Sequence, residues 1–175
     1  MRKVITAVTA CVFLYGCNLN DDAGYSRVVF DTAAFDRALT AWNAQGITSY
    51  TFEASEFRAG PQPAFRVTVE NGETVSIELD RLHWSQEMYD MYLEDIRTRF
   101  ATIPAIFDWI SDIHSEAVAD LRAGGLRFGL RIGVTYNAGY HFPQSASFGT
   151  IAPGIVCGWS GFEIREFRNN TVQVP

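Results

Sequence analysis

The sequence predicts an α+β domain, with helices packed on one face of an antiparallel β-sheet in the order α-βββ-α(α)-βββ. Three observations predict it. Phe65, Val67 and Val69 alternate with polar residues, break at Asn71-Gly72, and give way to Val75, Ile77 and Leu79. That pattern is a hairpin on a tight I′ turn. Leu126, Phe128, Leu130, Ile132, Val134 and Tyr136 alternate in the same way with Arg127, Gly129, Arg131, Gly133 and Thr135, so a further strand is expected there. Between the two, Trp84, Met88, Tyr92, Ile96 and Phe100 recur every fourth residue, which is a helical period. Helices segregated from antiparallel strands in this manner pack as α+β.

The remaining elements follow in chain order. Asp31 or Thr32 offers an N-cap to a helix carrying Phe35, Ala38, Leu39 and Trp42, and Gly46 ends it. Tyr50, Phe52 and Ala54 alternate with Thr51, Glu53 and Ser55 until Gly60-Pro61-Gln62-Pro63 breaks the strand. A helix begins near Thr102 with Pro104 in its first turn. It bears Phe107, Ile110, His114, Ala117, Val118 and Leu121, and stops at Gly124-Gly125. Two last strands are expected around Phe142 to Phe148 and Trp159 to Phe167, with Trp42 and Phe107 against the sheet. The chain has 175 residues, 47% of them hydrophobic, which is enough to bury the core of one domain, expected over 28–175.

The N-terminus carries an address. Arg2 and Lys3 precede an uncharged apolar run from Val4 to Tyr15. A spanning helix needs roughly 20 such residues, so the run reads as the core of a signal peptide, 1–16. Leu14-Tyr15-Gly16-Cys17 resembles the lipobox of bacterial lipoproteins, in which the Cys thiol takes a diacylglycerol before cleavage on its N-terminal side. Cys17 is then the lipidation site, and 17–27 a lipidated Cys with its tether. The expected location is the cell envelope, facing the periplasm on a lipid anchor. Asn18 stands where an Asp would favour inner-membrane retention, so the outer membrane is favoured.

The folded part also resembles a family. Trp42, Gly46-Ile47, Tyr50 and Phe52, followed by Val67-Thr68-Val69 and Asn71-Gly72, are similar to the W…G…Y-x-[YF] and V-x-V-x-x-G motifs of an uncharacterised bacterial lipoprotein family, a domain of unknown function. Val134-Thr135-Tyr136-Asn137-Ala138-Gly139-Tyr140-His141-Phe142-Pro143 matches its V-x-Y-[DN]-x-x-Y-x-[YF]-P segment. The likeness spans roughly Phe35 to Phe148. In three respects the chain departs from the family. Glu53 to Phe57 replaces a stretch where relatives carry cysteines, His141 stands where a glycine is usual, and Arg81 to Ala101 is longer. The resemblance implies a location and a fold but no chemistry.

The search for chemistry gives little that is sharp. A net charge of −6 argues against a nucleic-acid partner. His83, His114 and His141 lie apart with no metal-ligand spacing, and no cofactor fingerprint is present. Gly158-Trp159-Ser160-Gly161 falls short of a nucleophile elbow. Two surfaces are candidates for binding. One is a polar sheet face formed by Glu53, Glu56, Arg66, Thr68, Glu70, Arg127 and Arg131; His141, in a turn between strands, is a further binding candidate. The other is "WSQEMYDMY", where Trp84, Tyr89 and Tyr92 form either a core helix or a flap and partner patch. The function expected is a non-enzymatic envelope module that binds a protein or other envelope component through its sheet or the Trp84 segment. The alternative is a periplasmic enzyme built around His141, Cys157 or the paired carboxylates Glu53 and Glu56.

Overall fold

The computed structural model describes residues 27–57, 63–80, 84–125, 128–152 and 155–171, with the backbone alone for 152 and 155–159. Seven strands form one sheet in the order β1-β5-β6-β7-β2-β3-β4, accompanied by three helices. The predicted fold class is corrected in two respects. Among the described residues a strand, β1 (Val28–Val29), comes ahead of the first helix, and β1 pairs parallel to β5 (Gly129–Tyr136), so the sheet is mixed. Two residues are too few to show a period. Only the partner strand defines β1, through Val28↔Leu130 and a Leu130 N–H donated to the Arg27 carbonyl at 2.9 Å.

Helix α1 (Thr32–Ala44) starts at Asp31, whose Oδ1 accepts the Ala34 N–H at 2.9 Å, and ends before Gly46, at φ 62°. Its buried stripe is Phe35, Ala38 and Trp42. Strands β2 (Tyr50–Phe57), β3 (Ala64–Glu70) and β4 (Glu73–Leu79) form a meander. Asn71 and Gly72 turn the hairpin with φ of 53° and 85°, as a I′ turn requires. Val75 is not part of the apolar row. A bulge pairs Thr68 with Ser76 and Val69 with Thr74, leaving Val75 as the extra residue, 53% exposed on the edge strand.

The stretch after β4 forms two helices, as their periods predict. α2 (Gln86–Arg99) is capped by Ser85, and α3 (Ile103–Arg122) by Thr102, whose Oγ1 accepts the Ala105 N–H at 3.1 Å. Strands β6 (Pro143–Ala152) and β7 (Ile155–Asn169) then run well beyond their predicted spans. β7 is central, joining the β5-β6-β7 meander to β2. Its register shifts opposite Glu53 and Ala54, where Glu166 and Ile164 are the partners and Arg165 is extra. The shift lets Ile164 and Phe167, three residues apart, both turn toward the helices. Gly158 to Gly161 lies inside this strand, so no elbow exists there. Gly161 is small because a Cβ would collide with the Ala146 carbonyl and the Phe57 ring.

All three helices share one core with the same face of the sheet. Phe35, Trp42, Ile96, Phe100, Ile106 and Phe107 meet Phe52, Phe65, Val67, Phe142 and Phe162. Trp42 stands edge-on to Tyr50, Phe142 and Phe167 at 5.6, 6.1 and 5.9 Å between ring centroids. Trp42→Ala should therefore cost about 3–5 kcal/mol, as a buried aromatic truncation does. The measurement is the shift in the denaturant midpoint at unchanged slope, and an unshifted midpoint would contradict this packing.

Candidate functional site

The most concentrated chemistry lies inside the domain. The strand period that sends Tyr50, Phe52 and Ala54 inward sends Glu56 inward as well, and Glu56 is buried at 2% exposure. This corrects its expected place on the solvent face of the sheet. Arg99, in the last turn of α2, donates from Nη1 to Glu56 Oε1 at 2.5 Å and from Nη2 to Oε2 at 3.2 Å. Its Nε donates to Asp95 Oδ1 at 2.8 Å, and a further contact joins Nη2 to Oδ2. The Tyr92 hydroxyl donates to Glu56 Oε2. Burial works against the Arg99 charge, but the bonds and charge of Glu56, then of Asp95, outweigh it and raise its pKa. The guanidinium also lies 4.9 Å from the Trp109 ring centre and 5.1 Å from that of Phe100, a cation–π arrangement. The Glu56 oxygens thus already accept from Arg99 and Tyr92, and the group clamps α2 to the sheet. Sequence reading missed Arg99. The available signal was its place one residue before Phe100 and four after Asp95.

That clamp fixes the orientation of α2. Trp84 packs on Tyr92 with centroids 5.0 Å apart, and Tyr89 leans on the core, so all three predicted aromatics are partly buried. The outward face instead shows Met88, 49% exposed, and Met91, 66% exposed. Beside them Glu87, Asp90 and Glu94 are exposed.

A groove runs between α1 and the β5–β6 turn. It has a volume of about 370 Å³ and is lined by Ala34, Arg37, Ala38, Ala41, Tyr136 and His141. Asn137 shapes the turn, its Oδ1 accepting the N–H groups of Gly139 and Tyr140 at 3.0 and 2.9 Å. Gln45 ties it to α1 by donating to the Tyr140 carbonyl at 2.7 Å. His141 has φ 62°, the left-handed region in which a side chain is strained. That is the physical reason a glycine suits this position. Tyr136 carries a second local cost, since its hydroxyl is buried with no partner among the described residues. Burial first, then the charges of Asp31 and Asp36, push its pKa up to about 12.

The open face of the sheet is ordinary by comparison. Arg66 pairs with Glu53 at 3.1 Å and with Glu78 at 3.5 Å, and Arg131 is exposed. Glu53 and Glu56 lie on opposite faces of β2, so they do not form the carboxylate pair considered from sequence. His114 packs on Phe30 with ring centroids 5.0 Å apart. Arg127, His83 and Cys17 lie outside the described residues, as does the side chain of Cys157. Among the described residues no cluster of three or more His, Cys, Asp or Glu is placed to hold a metal, and no helix is long and apolar enough to cross a membrane.

Fold and surfaces together define an α+β domain with a helical layer on one side of a mixed sheet and a solvated strand face on the other. Residues 34–152 match the profile of a family described as of unknown function, DUF6174, and the chain belongs to that family. Comparison with curated proteins and with solved structures returned no match. The matched span ends with β6, yet β7 lies beyond it and occupies the middle of the sheet.

Two measurements test these assignments. Arg99→Ala should destabilise by about 3–5 kcal/mol by stranding a buried carboxylate, whereas Glu56→Leu/Arg99→Met should recover most of the loss. Equal destabilisation in both would assign the cost to packing instead. Tyr136→Phe and His141→Gly should each raise the melting midpoint, since each removes a local cost. A tyrosine whose folded pKa is raised holds its proton more tightly folded than unfolded, so its titration leaves stability unchanged below the unfolded value of about 10 and lowers it as pH climbs toward 12. The alkaline decline in stability over that interval should therefore shrink in Tyr136→Phe.

Proposed function

We propose that this protein is a lipid-anchored component of the bacterial cell envelope, held at Cys17 and acting as a non-enzymatic binding module for an envelope protein. The observation that carries the anchor is the order Arg2-Lys3, apolar run to Tyr15, then Leu14-Tyr15-Gly16-Cys17. Acyl chains contribute about 0.8 kcal/mol per buried methylene, so two or three of them hold a protein on a bilayer. Asn18 favours the outer membrane, with the domain facing the periplasm. The binding role is supported by how the buried acid is used. Glu56 accepts from Arg99 and Tyr92, so its oxygens are committed to holding α2 rather than to moving a proton.

A second reading has one observation in its favour. The groove gathers His141, Tyr136 and Arg37 in one concavity, which is where a periplasmic enzyme would place a site. Tyr136, raised to about 12, would stay protonated there.

Cys17→Ala tests the anchor. Wild type should incorporate labelled fatty acid, partition into detergent and resist high-salt extraction, because acyl burial does not depend on screened charge. The variant should lose the label. Recovery of wild type as a soluble, unmodified species beginning beyond Cys17 would refute the anchor.

A further inference from the structure

The outward face of α2 combines two properties, exposed methionines and an excess of acidic residues. Met88 and Met91, one turn apart, are the large apolar side chains most exposed on any helix among the described residues. From Trp84 to Ile96 the segment also carries Glu87, Asp90, Glu94 and Asp95 and no basic residue. Asp95 is engaged by Arg99, Asp90 accepts from Gln86 Nε2 at 2.7 Å, and among the described residues Glu94 pairs with Arg97 at 3.8 Å. The unbranched thioether suits irregular apolar partners, and a surrounding acidic rim selects the sign of what approaches.

We propose that this face docks a basic amphipathic helix of an envelope protein, with its apolar stripe on Met88 and Met91 and its cationic flanks against Glu87, Asp90 and Glu94. The inference deepens the binding-module reading and rests on it. The surface is pre-organised, because the Ser85 cap fixes one end of α2 and the Glu56–Arg99 clamp fixes the other, so binding does not also have to order the helix. The same charges count against the two other occupants. A second copy would bring acid against acid on a chain of net charge −6, and an anionic membrane surface would repel the face. Its position agrees. The chain enters the domain at β1, on the opposite edge of the sheet from β4, which α2 adjoins. Six interstrand steps of about 4.8 Å separate those edges by about 29 Å, which leaves the α2 side free when the N-terminus is held at a bilayer.

The test is photo-crosslinking in the native host, using the full chain with a benzophenone side chain installed at Met91 and, as a control, at Arg131 on the open sheet face. The expected result is a protein adduct from position 91 and not from 131, with a crosslinked segment that is net positive and amphipathic in sequence. Glu87→Gln/Asp90→Asn/Glu94→Gln should cut its yield about tenfold without lowering the melting midpoint. A lipid adduct, a self-adduct, a partner segment of net negative charge, an undiminished yield from the neutralised variant, or no adduct overturns the proposal. Repeating the crosslinking in Cys17→Ala separates the two ideas. An adduct that persists with wild-type protein shown to be unlipidated would refute the anchor alone, whereas a lipidated wild type with no adduct would refute the docking face alone.

Discussion

One row of side chains on β2 holds the molecule together. Tyr50, Phe52, Ala54 and Glu56 share the helix-facing side of that strand, and its two ends fasten the corner between α2 and α3. At one end the Tyr50 hydroxyl accepts the Ile103 N–H at 2.9 Å, satisfying one of the donors left open at the start of α3. At the other end Glu56 takes Arg99 from the last turn of α2. The hydrophobic middle, Phe52 and Ala54, is fully buried between them. Everything placed by the helical layer, including the outward face of α2, inherits its position from this strand.

The polar end of that row carries the larger energetic risk. Removing a carboxylate from water costs several kcal/mol, and an ion pair returns this only with good geometry and satisfied partners. Here the bidentate fork, the Tyr92 hydroxyl and the Asp95 side chain supply those partners, while Trp109 and Phe100 cover the cation. Trp109 in turn packs on Phe148 and Phe162, at 5.2 and 5.8 Å, so the clamp is continuous with strands from the far half of the chain. An isosteric apolar pair would fill the same space, but it would not demand one rotation of α2. The charged pair does, since only one setting of the helix presents Arg99 to Glu56 and Met91 to solvent.

The family span and the physical unit are not the same object. Residues 34–152 carry the family match, while β1 before it and β7 after it complete the sheet. β7 supplies Phe162, Ile164 and Phe167 to the core and stands between β6 and β2. A fragment trimmed to the matched residues would expose two unpaired strand edges in mid-sheet, a setting that invites aggregation. Functional reasoning therefore belongs to the whole domain, with its N-terminal edge at β1 and its acidic, methionine-bearing helix at the other side.

Sequence alone determined what depends on near neighbours. The Asp31 cap and the helix start near Thr102 sit before apolar stripes of helical period, the Asn71-Gly72 turn sets its own φ values, and the run ending at Cys17 is legible without a fold. The tertiary structure decided what depends on distant partners. β1 is a strand only because β5 lies beside it, and Val75 faces out only because the pairing with β3 bulges. Phe167 reaches the core only because β7 slips one residue against β2. Glu56 kept the inward phase of its strand, but no local signal told that an arginine 43 residues later would meet it. His141 and Tyr136 acquire their setting from a helix nearly a hundred residues upstream. Capping and turn signals are written over a few residues, whereas register, burial of charge and the choice of exposed face are properties of contacts that only the closed fold creates.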